Sequence, residues 1–179
     1  MGTVVLNGAT SGSTTLQPTD AVTATLTLPS ATGTLMGTGN MPAFSAYQSS
    51  AQTLSNGVFT KLQFQTEEFD TNSNFDNATN YRFTPTVAGY YQINGGWQPT
   101  TAPTINLAVN LYKNGSAYKQ GPYITASLSN SNYNVSSVVY LNGSTDYIEL
   151  YAYNNSGGNV VVVAALIATY FNGVMVRAA

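Results

Sequence analysis

Apolar residues recur at every second position through most of this chain, and that period constrains its fold more than any other feature. In Val22-Thr-Ala-Thr-Leu-Thr-Leu28 the even positions are apolar and the odd ones are all Thr, while Ile105, Leu107, Val109 and Leu111 alternate with Asn106, Ala108 and Asn110. A period of two places one set of side chains on each face of a strand, so these segments read as strands with one buried face. No window carries a 3.6-residue stripe with capping signals, and Glu, Lys, Gln and Arg are scarce, which predicts almost no helix. Six Asn-Gly pairs, at Asn7, Asn56, Asn94, Asn114, Asn142 and Asn172, punctuate the chain. This dipeptide tolerates the positive φ angles of tight turns. Asn114-Gly115 and Asn142-Gly143 each separate two strand-like runs and read as hairpin tips, and Gly95-Gly96 and Gly157-Gly158 read as turns. Short strands at this spacing mean a sandwich or barrel.

At 179 residues the chain accommodates one well-buried domain plus an extension. Composition shifts near residue 40: no aromatic residue precedes it, whereas Tyr, Phe and the single Trp97 are frequent after it. Aromatic side chains bury the most area per residue, so the first segment has little from which to build a core of its own. Residues 1–40 therefore read as a Thr-rich arm for anchoring or assembly, with Val4, Leu6, Leu16, Val22, Leu26 and Leu28 as the candidate docking residues. Residues 41–179 read as the body. The run Val160–Ile167 is apolar at successive positions, and the expectation is a strand with one face on the core and the other on a neighbouring subunit.

Only 7% of the residues are charged and the net charge is −2. A surface of hydroxyls and amides has little charge repulsion to hold copies apart, which suits self-association. The five basic residues, Lys61, Arg82, Lys113, Lys119 and Arg177, are scattered, so no stripe exists to neutralise phosphates, and nucleic acid is excluded as the expected partner. The longest apolar run is about half of a spanning helix, and the N-terminus lacks the pattern of a signal peptide, so no membrane association or export is expected.

The absence of His and Cys removes the commonest general base, thiolate nucleophiles and most transition-metal ligands. Four of the seven carboxylates, Glu67, Glu68, Asp70 and Asp76, fall in TEEFDTNSNFDN, but their spacing matches no calcium loop and fixes no glycosidase pair. The cluster reads as a solvated loop. The expectation is a protein that is not an enzyme, with no cofactor and no metal.

From Pro42 onward the order of motifs resembles the globular head of complement subcomponent q and its relatives in the tumour-necrosis-factor-like superfamily. PAFSA (42–46) is similar to the first strand of that family, and YRFTPTVAGYYQI (81–93) to its central signature through Phe83, Thr84, Pro85, Ala88, Gly89, Tyr90 and Tyr91. VNLYKNGSAY (109–118), VSSVVYLNGSTDYIELYAY (135–153) and YFNGVMV (170–176) follow in family order. The resemblance implies an all-β jelly roll of about ten antiparallel strands in a homotrimer, with the terminal strands near the three-fold axis. Phe83, Tyr91, Trp97 and Phe171 are large enough to span the gap between two sheets. Phe44, Tyr91, Tyr153, Val161, Val163 and Phe171 are the subunit-interface candidates. No collagen stalk precedes the head. The leading segment instead resembles parts of tail-fibre, head-fibre and capsid-decorating proteins of tailed bacteriophages.

Two functional expectations follow. The first is a virion structural protein, made in the host cytoplasm and located on the capsid surface: a trimeric decoration or cement protein, or a short head fibre, whose partners are itself and the major capsid protein or another virion protein. It draws on the short chain with its own Met1, the Thr-rich arm, the low charge and the missing catalytic groups. The second is the receptor-binding tip of a phage tail fibre, recognising a host surface glycan or another cell-surface ligand through Tyr-, Asn- and Trp-lined loops, since an outward Tyr joins apolar area to a hydroxyl.

Overall fold

The computed structural model describes residues 4–7, 11–16, 36–100, 106–125 and 131–179. The chain divides into two units, Met1–Thr34 and Leu35–Ala179. In the first, β1 (Val4–Asn7) pairs antiparallel with β2 (Ser13–Leu16), and Val5 and Leu6 are exposed. The strand expected from Val22 to Leu28 lies outside the described residues.

The second unit is a sandwich of two antiparallel sheets. One five-stranded sheet has the order β12 (Tyr133–Leu141), β9 (Gly89–Trp97), β15 (Tyr170–Ala178), β3 (Ala43–Tyr47), β6 (Thr66–Asp70). The six-stranded sheet facing it runs β11 (Ser116–Ile124), β10 (Leu107–Lys113), β13 (Ile148–Asn154), β8 (Arg82–Phe83), β7 (Phe75–Asp76), with β5 (Val58–Lys61) also pairing β13. A ribbon of β4 (Gln52–Leu54) and β14 (Val160–Val162) closes one side. Apart from a single 3-10 turn at Thr38–Asn40, the described residues contain no helix, and none is long and apolar enough to cross a membrane.

The core sits where the alternation directs it. From β9 come Tyr91, Ile93 and Trp97, from β10 Leu107, Val109 and Leu111, and from β13 Ile148, Leu150 and Ala152. At the centre Phe44 stacks on Phe83 at 4.4 Å between ring centroids and on Phe75 at 4.9 Å, and meets Phe171 edge-on at 5.1 Å. Trp97 donates from Nε1 to the Ala108 carbonyl at 3.1 Å, so the one indole ties the two sheets together and leaves no buried donor unpaired. The expectation that Phe83, Tyr91, Trp97 and Phe171 span the sandwich holds, since all four are fully buried.

The Asn-Gly pairs divide by structure in a way their sequence does not show. Asn114-Gly115 is a true hairpin tip between β10 and β11, with φ of 52° and 75°. Asn142-Gly143 is not, because β12 and β13 belong to different sheets. The segment crosses the edge of the sandwich, and Asn142 Oδ1 accepts from the backbone N–H groups of Ser144, Thr145 and Asp146 at 2.9–3.0 Å. Asn94-Gly95 and Asn172-Gly173 are not turns either. They lie inside β9 and β15, in register with each other, with each Asn facing outward and each Gly facing the core. Gly95-Gly96 is therefore a stretch of strand. Leu150 of the opposite sheet fills the space over Gly95, where a Cβ would come within 2.6 Å of Leu150 Cδ2. Gly157 does lie in a turn, with φ of 89°.

Candidate functional site

Glu67, Glu68 and Asp70 lie on β6 rather than on the expected loop, and the carboxylates of Glu68, Asp70 and Asp76 are engaged in hydrogen bonds that hold the segment. Asp70 accepts the Phe75 N–H at 2.7 Å and the Asn72 N–H at 3.2 Å. Asp76 accepts from the N–H groups of Thr79 and Ala78 and from the Asn80 amide. The Thr79 N–H first, then the Ala78 and Asn80 donors, hold the Asp76 carboxyl down to about 2 against the desolvation that opposes them. Glu68 accepts from Ser45 Oγ at 2.7 Å. Among the described residues no three His, Cys, Asp or Glu side chains are placed to share a metal ion.

Two sheet faces carry the features that an interaction would use. The first is the outward face of the five-stranded sheet. In register across it lie Ser136, Asn94, Asn172 and Ser45, one each from β12, β9, β15 and β3. Asn94 Nδ2 donates to Asn172 Oδ1 at 3.0 Å, Ser136 Oγ to Asn94 Oδ1 at 2.8 Å, and Gln92 Nε2 to Ser136 Oγ at 2.8 Å. This polar row satisfies itself within the sheet. On one side of it follow Val138, Gln92, Val174 and Ala43, then Tyr140 beside Tyr90, with rings 5.5 Å apart. On the other side lie Tyr170 and Tyr47. Val138, Tyr90, Tyr140, Val174 and Val176 are exposed. Toward β6 the face sinks into a depression of about 370 Å³ lined by Ala43, Ser45, Phe69, Asn172 and Val174, with Phe69 half exposed at its rim.

The second is the outward face of the six-stranded sheet, where the aromatic rings cluster. Tyr123, Ala108, Tyr153 and Phe59 stand in register across β11, β10, β13 and β5. Because Ala108 is small, the rings of Tyr123 and Tyr153 face each other above it at 6.2 Å, and Phe59 stacks on Tyr153 at 4.5 Å. Tyr112 stacks on Tyr151 at 3.9 Å and reaches Phe59 at 6.1 Å. Beneath them Lys61 Nζ pairs with Glu149 Oε1 at 2.7 Å. Burial, and then the nearby Glu149 carboxylate, pushes the Tyr151 phenol up to about 12, so it remains a hydrogen-bond donor at neutral pH.

These positions correct three of the expected interface residues. Phe44, Tyr91 and Phe171 are at most 1% exposed and belong to the core, so they have no surface to give a second subunit. Tyr91 even turns its hydroxyl inward, donating to the Val87 carbonyl at 2.6 Å. Tyr153 is partly exposed in the aromatic cluster, Val161 is exposed on β14, and Val163 is half-buried just beyond β14. Only Val160–Val162 of the apolar run is strand; the segment after it turns back through the Ala165 carbonyl, which accepts from Ala168 and Thr169, and leaves Ile167 88% exposed. Of the arm candidates, Val4 and Leu6 lie on β1, Leu16 lies on β2, and Val22, Leu26 and Leu28 lie outside the described residues. Sequence reasoning missed Val138, Tyr140, Val174 and the Asn94–Asn172 pair. Their signal was present in the alternation of VSSVVYL and YYQING, which assigns faces once one buried residue of each strand is known.

The order of the strands in the two sheets can be compared with solved structures. Murine APRIL superposes with a TM-score of 0.60 at 10% identity, over 76% of this chain and 99% of that one. The globular domain of zebrafish complement 1qA superposes with a TM-score of 0.56 at 17% identity, over 77% of this chain and 98% of its own. The chain has the tumour-necrosis-factor/C1q-like jelly-roll fold. The PRD1 vertex protein P5 shares this jelly roll, with a TM-score of 0.53 at 12% identity over 76% of this chain and 73% of that one. No protein-family model and no curated protein matches the sequence. At these identities the jelly-roll likeness speaks for the fold.

Proposed function

We propose that the chain is a virion structural protein that assembles as a homotrimer through the outward face of its five-stranded sheet and attaches to the capsid surface through its Thr-rich N-terminal segment. The observation that carries the assembly is the character of that face. From Tyr170 to Val174 its rows on β12, β9, β15 and β3 hold no charged side chain, its polar groups are satisfied internally, and exposed valines and tyrosines surround them. Such a face loses little on desolvation and gains the burial of its apolar margins. The margins differ in shape: the Tyr90–Tyr140 pair projects near the β12 edge, and the depression beside Phe69 lies near the β6 edge. Unlike margins favour a head-to-tail contact that closes by rotation, and a three-fold ring is the assembly that the jelly-roll resemblance implies.

The virion reading is supported by the jelly roll shared with the PRD1 vertex protein and by a surface that relies on hydroxyls and amides. Its test is co-sedimentation with purified capsids. Binding to assembled particles without binding to dissociated coat subunits is the expected result, and equal binding to neither contradicts it. The receptor-binding reading is favoured by a separate observation, the aromatic face of the six-stranded sheet, which a trimer built on the other sheet leaves open.

A further inference from the structure

The aromatic cluster on the six-stranded sheet combines three properties that a packed or merely solvated surface does not require together. The rings of Tyr123, Tyr153, Phe59, Tyr112 and Tyr151 follow one another in a continuous series of contacts across four strands, in which Tyr123 at one end and Phe59 at the middle are 45% and 43% exposed. The four phenol hydroxyls make no hydrogen bond within the described residues, and each is a donor and an acceptor. On the floor of the series lies Asn110. It points to the outer face, since Val109 and Leu111 on either side of it face the core, and it stands in register between Gln120 and Tyr151. Its side chain is 5% exposed and its Oδ1 has no hydrogen-bond partner. An amide oxygen buried without a donor costs stability, so its presence beneath a preformed row of rings needs an explanation.

We propose that this face is a binding site for a neutral saccharide, with pyranose rings stacked on the exposed rings of Phe59 and Tyr123 and a sugar hydroxyl donating to Asn110 Oδ1. The chemistry favours this occupant over others. Among the described residues the formal charges in the floor are Lys61 and Glu149, which neutralise each other at 2.7 Å, so the site offers little to an ionic ligand. A purely apolar ligand would leave the phenols and the Asn110 oxygen without partners. A sugar supplies both the C–H faces that stack on aromatic rings and the hydroxyls that satisfy the polar atoms. Because the rings are held by one another and by the sheet, little side-chain freedom is lost on binding. The site rests on the sheet opposite the proposed trimer face, and three copies on one assembly would engage a repetitive glycan with avidity.

The test uses the full chain. An array of neutral plant, bacterial and animal oligosaccharides identifies a binding sugar, and calorimetry with that soluble oligosaccharide measures the affinity of variants. Phe59→Ala and Tyr123→Ala, both at exposed positions, are expected to weaken binding about tenfold each, the effect of losing one stacked ring. Asn110→Leu, similar in volume, is expected to weaken it severalfold while the protein stays folded. Tyr118→Ala, exposed on β11 but outside the ring series, should bind as the parent does. Absence of any array signal overturns the site, as does affinity unchanged in Phe59→Ala and Tyr123→Ala. A lower solution mass in either variant also overturns it, because the face would then be a contact between copies. Capsid co-sedimentation of the same variants keeps the outcomes distinct: loss of sugar binding with particle binding retained leaves the virion reading intact.

Discussion

Asp76 shows how a single carboxylate in this chain serves structure. It closes the turn from β7 into β8 by accepting three donors, and its folded-state pKa is near 2 against an ordinary value of 3.8. A group depressed by folding contributes stability that is complete above its unfolded pKa and is lost as the pH falls through its folded one. The Asp76 contribution should therefore decline between about pH 4 and pH 2, and Asp76→Asn, which keeps an acceptor but cannot titrate, should flatten that part of a urea-melt pH profile. An unchanged profile would remove Asp76 from the acid response. Lys61 and Glu149 are a different case. Glu149 is 3% exposed, so Lys61→Met would strand a buried carboxylate and should cost about 2–3 kcal/mol, the low end for such pairs because Lys61 remains partly wet. Double substitution with Glu149→Leu should recover most of that loss.

The strands were legible in the sequence to the extent that alternation alone defines them. The positions of β9, β10, β12, β13 and β15 follow from period two, and the aromatic core follows from residues too large to lie elsewhere. Sheet membership was not legible, because the same dipeptide serves opposite ends. Asn114-Gly115 turns one strand onto its neighbour, Asn142-Gly143 carries the chain between sheets, and Asn94-Gly95 sits mid-strand because Leu150 needs the space. What decides among them is the side chain on the facing sheet, which no local pattern encodes. Placement of Phe44, Tyr91 and Phe171 on an interface failed for the same reason, since alternation gives two faces without saying which is inward. The packing account predicts that Gly95→Ala costs about 1–3 kcal/mol by overpacking against Leu150. Adding Leu150→Ala to it should cost less than Leu150→Ala does alone. Gly143→Ala should be at least as damaging as Gly95→Ala, because φ is 72° there and the added carbon meets the Val87–Ala88 backbone. Chemical denaturation of the three variants and the pair checks both statements.

As a whole, the second unit presents two unlike faces: one on the five-stranded sheet whose central rows are uncharged and self-satisfied, and an aromatic one on the six-stranded sheet. The first suits contact with further copies of the chain and the second suits a ligand, a division that would let one jelly roll both assemble and bind. The claim on which the rest depends is assembly through the five-stranded face, and the most direct measurement is the solution mass by light scattering of the parent and of Val138→Glu. Val138 is 51% exposed on β12, the edge strand of that face, beside the polar row, so a carboxylate there leaves the monomer fold unharmed but would be buried in the assembly. The account predicts three times the chain mass for the parent and the single-chain mass for the variant. A parent that is monomeric, or a variant that keeps the trimer mass, would contradict it.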